Sequence, residues 1–372
     1  MTTEDQQAPD AEHPDRRATA PGSAAVHGVA RGTAPAPLSI LDLATVGVGR
    51  TPADALAATT ELARSAESWG YHRFWVAEHH GMPGVASSTP AVLLAHLGNH
   101  TSTLRLGSGG VMLPNHAPLA IAEQFGLLEA LNPGRIDLGL GRAPGTDQAT
   151  ARALRRGLAE GADDFPNQLA ELTHFLDGDF PPGHPYARLT AVPRSEGRPP
   201  IWLLGSSGFS AQLAGRLGLP FAFAHHFSGN NTVPALDLYR SSFRPSEVLA
   251  EPYALIGVSA VAADDKAQAR WLARSAGLGM LKLRRGNPGP IPTPEEAEAY
   301  PYSPAEADFL DDWLSNVVLG APGEVADGLE ALRKRTGADE LMVTSHIHGH
   351  EARHRSYGLI AQAYGLTGGA AA

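Results

Sequence analysis

From Leu38 onward the chain repeats one pattern: a short apolar run, a longer amphipathic stretch, then another short apolar run. Strands that arrive singly, each followed by a helix, pair in parallel, because the crossover helix returns the chain to the same edge of the sheet. Eight such strands are expected, at 38–43, 73–77, 104–113, 136–140, 201–204, 221–224, 253–262 and 340–344. Eight βα units suit a closed (β/α)8 TIM barrel, and 372 residues accommodate one with insertions. The insertions fall after strands 4 and 7, the first spanning 141–200. The second contains a Pro-rich loop at 286–303. An open doubly wound sheet is the other arrangement this order permits, but no Gly-x-Gly-x-x-Gly follows the first strand.

Local signals support the helices. Thr51-Pro52 and Thr89-Pro90 each place a capping residue before a proline at the first helical position, and Gly70 stops the first helix. Residues 1–36 are rich in Ala, Pro, Gly, Asp and Arg without periodicity. They lack the apolar stretch of a secretory signal and are expected to form a disordered tail, leaving 37–372 as the barrel domain. A cytoplasmic location is expected. No apolar run approaches the roughly 20 residues of a membrane helix.

Composition removes several kinds of chemistry. The chain has no cysteine, which excludes disulfides, thiolate catalysis, Cys-ligated zinc and iron–sulfur clusters. A net charge of −10 argues against a nucleic-acid partner.

In such barrels the reactive groups lie at the C-terminal ends of the strands. Those positions hold Asp42, then Glu78-His79-His80, the segment 112–116, Arg142, Gly205-Ser206-Ser207, His225-His226 and Ser345-His346. Gly205-Ser206-Ser207-Gly208 joins a strand to a helix. Its small residues let backbone N–H groups approach an anion, and the helix N-terminus adds partial positive charge. This reads as a phosphate site, which Arg142 would complete through bidentate contacts. An ordinary βα turn with Ser as N-cap is the alternative. Glycines 107, 109 and 110 within a strand mark a bulge, set against a flat ligand or bending the barrel wall. Glu78-His79-His80 admits three readings: a metal site, one imidazole as acid or base with Glu78 fixing the turn or tautomer, or two loop histidines. Adjacent strand residues point to opposite faces, so the two histidines make poor joint ligands.

Taken in order, several stretches resemble the bacterial-luciferase-like flavin monooxygenases. They are Phe74-Trp-Val-Ala-Glu-His-His80, Leu106-Gly-Ser-Gly-Gly-Val-Met-Leu-Pro114, Glu123-Gln124, Pro133-Gly-Arg-Ile-Asp137 and Gly139-Leu-Gly-Arg142. Leu140-Gly-Arg-Ala-Pro-Gly-Thr-Asp147 and Phe221-Ala-Phe-Ala-His-His226 are similar to the subgroup containing polyketide-tailoring oxygenases. The resemblance implies reduced FMN and O2 as co-substrates, a small organic substrate, a separate flavin reductase and a homodimer. It implies His79 as the catalytic histidine and a cis peptide at Gly109–Gly110 beneath the flavin ring. It further implies a cofactor site of Gly109, Gly110, Val111, Met112, Arg142, Ala143, Gly205, Ser206 and Ser207, with no metal. Where light-emitting members carry a reactive cysteine, this chain has Gly141, so the luminescent aldehyde reaction is not expected. Three rivals remain: an F420-dependent oxidoreductase on the same fold, a His-ligated metal hydrolase, and a non-catalytic flavin-binding protein.

Overall fold

The computed structural model describes residues 26–143, 148–154, 164–194 and 197–368. Eight strands close a parallel barrel: β1 (Leu38–Asp42), β2 (Arg73–Val76), β3 (Arg105–Ser108), β5 (Ile136–Gly141), β6 (Ile201–Gly205), β7 (Phe221–Phe223), β8 (Ala254–Ala262) and β10 (Glu340–Thr344). β10 pairs with both β8 and β1, which completes the ring. The principal crossover helices are α1 (Pro52–Trp69), α2 (Pro90–Gly98), α3 (Pro118–Leu131), α6 (Gly208–Leu217), α7 (Thr232–Ser242), α8 (Lys266–Arg284), α11 (Pro322–Thr336) and α12 (His350–Tyr364). α4 (Gln148–Leu154) and α5 (Phe165–Asp177) lie between β5 and β6. Among the described residues no helix is long and apolar enough to cross a membrane.

The helix signals act as their chemistry predicts. Thr51 and Asp54 form a reciprocal capping box at the start of α1, and Gly70 ends it at φ 92°, a left-handed conformation suited to glycine.

Four expectations need correction. The third strand is not continuous over 104–113. It breaks at a cis Gly109–Gly110 peptide, resumes as the two-residue β4 (Val111–Met112) against β5, and ends in a 3-10 turn at Leu113–Asn115. The segment 286–303 is not all loop, because Thr293 and Glu296 form a capping box that starts the short helix α9 (Pro294–Ala299). A further strand, β9 (Val318–Gly320), follows α10 (Pro304–Ser315) and pairs with the outer part of β8. Finally, residues 26–36, which fall within the expected tail, pack against the barrel. Val26 is fully buried, its carbonyl accepts from the Arg73 guanidinium, and the Gly28 amide donates to the Tyr253 hydroxyl at 2.8 Å. The segment has no periodicity because it seals the barrel floor rather than forming an element.

Side chains alternate across the barrel wall. Ile40, Phe74, Val76, Ile256, Leu341 and Val343 join the core shared with the helices. Their neighbours Leu41, Trp75, Leu255 and Met342 form a separate cluster inside the barrel with Trp202 and Ala222. Below this layer lies an ionic floor. Buried Arg73 donates to Asp137 at 2.9 Å and to both oxygens of Glu340 at 3.0 and 3.1 Å. Ser39 and Tyr253 also donate to Glu340, and Arg105 and Trp75 to Asp137. Above the layer Ala77, Gly109, Gly139, Gly141, Ala224 and Gly257 alternate in phase with the larger Leu43 and Leu204, which pack on the interior cluster.

Candidate active site

The Glu78-His79-His80 turn follows β2 and is organised by Glu78, which is fully buried. One carboxylate oxygen accepts from His80 Nε2 at 3.0 Å and from His116 Nε2 at 2.9 Å, while the other accepts from the Met112 amide at 3.1 Å. Burial pushes the Glu78 pKa up. The donors from His116, His80 and Met112 outweigh that and hold it below the ordinary glutamate value, so the carboxylate is charged. Glu78 thus ties the turn to the short strand after the cis glycine pair. The pairing of His116 with Glu78 is not visible in sequence, since the two lie 38 residues apart.

The glycine pair sits in close quarters. A Cβ on Gly109 would lie 2.7 Å from Leu41 Cδ1, and one on Gly110 would lie 2.9 Å from the Gly139 carbonyl oxygen. A Cβ on Gly141 would lie 2.8 Å from Met112 Sδ, so the glycine makes room for the methionine thioether. Val111 is buried and Met112 is partly exposed at the barrel mouth.

The proposed anion cradle gathers at the start of α6. Ser206 and Ser207 are exposed, and Ser207 stands at the N-cap without a side-chain capping bond. The Arg142 guanidinium lies 4.4 Å from the centre of the Phe209 ring, in the first turn of α6. Residues from β5, β6 and α6 therefore place a cation beside an uncapped helix N-terminus. Ala143 is exposed at the edge of the described residues.

The histidine pair after β7 divides. His225 Nδ1 lies 2.7 Å from Thr232 Oγ1, and the residue lines a cleft of about 460 Å³ with Asn230, Asn316 and Arg335. His226 turns instead to Gly257 of β8 and donates to its carbonyl from Nδ1 at 3.0 Å. Burial holds both His226 and His346 down to about 4, so both are neutral at neutral pH; each also responds to the charge of His79. At the end of β1, Asp42 accepts from Arg353 at 3.0 Å and Thr59 at 2.7 Å. Among the described residues no three His, Asp or Glu side chains are grouped to hold a metal ion.

The segment ahead of α9 packs on the loops after β1 and β2. The Val48 amide donates to the Ile291 carbonyl and the Ile291 amide to the Val46 carbonyl, both at 2.9 Å. A Cβ on Gly84 would lie 2.4 Å from the Gly289 carbonyl oxygen, so this strap rests directly on the loop after β2.

A family model described as luciferase-like monooxygenase matches residues 37–340. The chain belongs to this family. It is 48% identical over 321 residues to a luciferase-like monooxygenase of Escherichia coli (strain K12), covering 86% of this chain and 95% of the other. It is 39% identical over 330 residues to the N-acetyl-S-alkylcysteine monooxygenase of Bacillus subtilis (strain 168), covering 88% and 97%. The crystal structure of apo-MsnO8 matches with a TM-score of 0.81 at 38% identity, over 89% of this chain and 99% of that one. Two structures at lower identity show the shared fold alone. One is the oxygenating constituent of 3,6-diketocamphane monooxygenase from Pseudomonas putida in complex with FMN, with a TM-score of 0.66 at 18% identity over 89% and 98% of the chains. The other is the F420-dependent tetrahydromethanopterin reductase of Methanopyrus kandleri, with a TM-score of 0.60 at 16% identity over 88% and 97%.

Proposed function

We propose that this member of the luciferase-like monooxygenase family uses reduced FMN and O2 to oxygenate a small organic thioether. The observation that carries the cofactor reading is Arg142 beside the uncapped N-terminus of α6. A cation next to free first-turn amides suits a phosphate monoester. The tight backbone at Gly109–Gly110, where a Cβ on Gly110 would meet the Gly139 carbonyl, suits a flat ring lying against the wall. Reduced FMN, when bound, supplies the electrons that activate O2. The chain's part is to orient the ring on Gly109 to Met112, hold the phosphate with Arg142, Ala143 and Gly205 to Ser207, and keep water out. His79 handles the proton at the reacting oxygen or substrate. The thioether class is taken from the N-acetyl-S-alkylcysteine relative. A separate reductase delivers the flavin, in keeping with the camphane enzyme's description as an oxygenating constituent.

The test is anaerobic titration with reduced FMN and with reduced F420, followed by oxygen and N-acetyl-S-methylcysteine. Reduced FMN should bind more tightly than F420, and sulfoxide should form in step with oxygen consumed. Tight F420 binding without oxygen uptake overturns the reading. So does FMN binding without oxygen uptake, or hydrolysis that depends on a metal bound at one per chain.

A further inference from the structure

The barrel mouth has two unlike halves. On β3, β5 and β6 stand the glycine pair, Arg142 and the Gly205–Ser207 turn, which form the proposed flavin side. The remaining arc, β7-β8-β10-β1-β2, carries His226, His346 and His79 at the ends of β7, β10 and β2. These imidazoles are electrostatically in reach of one another. His346 continues the inward series Met342, Thr344 at the end of β10.

His226 is firmly seated. Its backbone amide and its Nδ1 both reach the Gly257 carbonyl, each at 3.0 Å. The ring lies against Gly257 so closely that a Cβ there would be 2.9 Å from Nδ1 and 3.0 Å from Cε1. Gly257 is the one glycine in the nine residues of β8, and glycine in a strand interior is ordinarily unfavourable. Here it provides the seat for an imidazole inside the barrel. A carbonyl oxygen accepts only, so Nδ1 carries the proton. In the neutral ring, Nε2 then presents a bare lone pair. Burial keeps the ring neutral, with its pKa held down to about 4.

We propose that the imidazole arc is the substrate half of the mouth and that His226 Nε2 is its fixed hydrogen-bond acceptor, selecting substrates that carry an N–H or O–H donor near the atom to be oxygenated. A site built around an acceptor discriminates against a substrate lacking the matching donor, because the acceptor, here partly buried, is then left unpaired. This assignment rests on the flavin placement proposed above, which leaves this arc facing the substrate.

The ring state is tested first, without any substrate. In ¹⁵N-imidazole spectra of the apoenzyme, His226 should be the Nδ1–H tautomer with bare Nε2 at neutral pH. It should stay so down to about pH 5. An Nε2–H tautomer or an imidazolium at neutral pH overturns the proposal. The second arm compares N-acetyl-S-methylcysteine with its N-methylated amide in coupled turnover by wild type, H226F and G257A. In wild type the free amide should have a KM lower by about tenfold or more, the scale of one hydrogen bond. H226F should abolish that preference, and G257A, whose Cβ displaces the ring, should do the same. Both should bind FMN within about twofold of wild type, since an arc separate from the flavin side leaves no hydrogen bond to lose there. A preference that survives in H226F overturns the proposal, as does a variant that weakens FMN binding. If wild type consumes oxygen with reduced FMN yet oxygenates neither thioether, the substrate class of the preceding section fails. The tautomer then decides the acceptor separately.

Discussion

Glu78 shows how one buried carboxylate can shape a site without being its reactive group. It has three donors on two oxygens and spans the loop after β2 and the strand after the cis glycine pair. In E78Q the acceptor charge is lost and the amide cannot accept from all three donors. We expect a destabilisation of about 1–3 kcal/mol at neutral pH. Its pH dependence follows from the depressed pKa. A carboxyl lower in the folded state than its ordinary value of 4.5 contributes stability that is present above that value and lost as pH falls through the folded pKa. The melting-temperature gap between wild type and E78Q should therefore be widest above about pH 5 and close progressively in acid, as pH-resolved thermal melts would show. His79→Ala acts differently. It should leave FMN binding largely intact while lowering product formed per oxygen consumed, with the balance released as hydrogen peroxide. Full coupling in H79A would remove His79 from its proposed role.

At the scale of elements, the proposed flavin side depends on α6 starting without a side-chain cap and with Arg142 against its first turn. R142A should weaken FMN binding by about 10- to 100-fold, the worth of a charge-assisted contact of about 1.5–3 kcal/mol. Its melting temperature should barely move, because the guanidinium is only partly buried. Equilibrium titration and thermal melts separate the two effects. The strap at Ile291 makes its own prediction. I291P deletes the amide that donates to Val46, one of the two bonds holding the strap to the loop after β1. Limited proteolysis within 286–293 should accelerate, and peroxide release during turnover should rise as water gains access.

For the whole molecule, the ionic floor and the proposed site lie at opposite ends of the barrel. The floor joins Arg73, Asp137, Glu340 and Arg105 from four strands, with Val26 sealing it from beneath. Removing one partner of a buried ion pair leaves an uncompensated charge, so D137N should cost about 3–5 kcal/mol in urea unfolding. Asp137 is held below the ordinary aspartate range, because its partners Arg105 and Arg73 outweigh the upward push of burial. Its stabilisation is likewise lost as the solution is acidified. The fraction of D137N that remains folded should bind FMN as wild type does, because the substitution lies below the apolar layer rather than in the mouth.

The sequence by itself determined the order of the eight barrel strands and their crossover helices. Short apolar runs, N-terminal prolines and terminal glycines are local signals, and each depends on residues a few positions apart. It also placed the candidate site residues at strand ends, which a parallel barrel brings to one face. The break in the third strand was half visible, in glycines that suit a strand poorly; the same reasoning applied to Gly257 points to the seat of His226. Tertiary structure alone decided the rest. The Glu78–His116 pairing, the turning apart of His225 and His226, the burial of Val26 and the contact of the strap with the loop after β1 all join residues distant in the chain. Their partners are selected by barrel closure, which brings together groups that no local pattern relates.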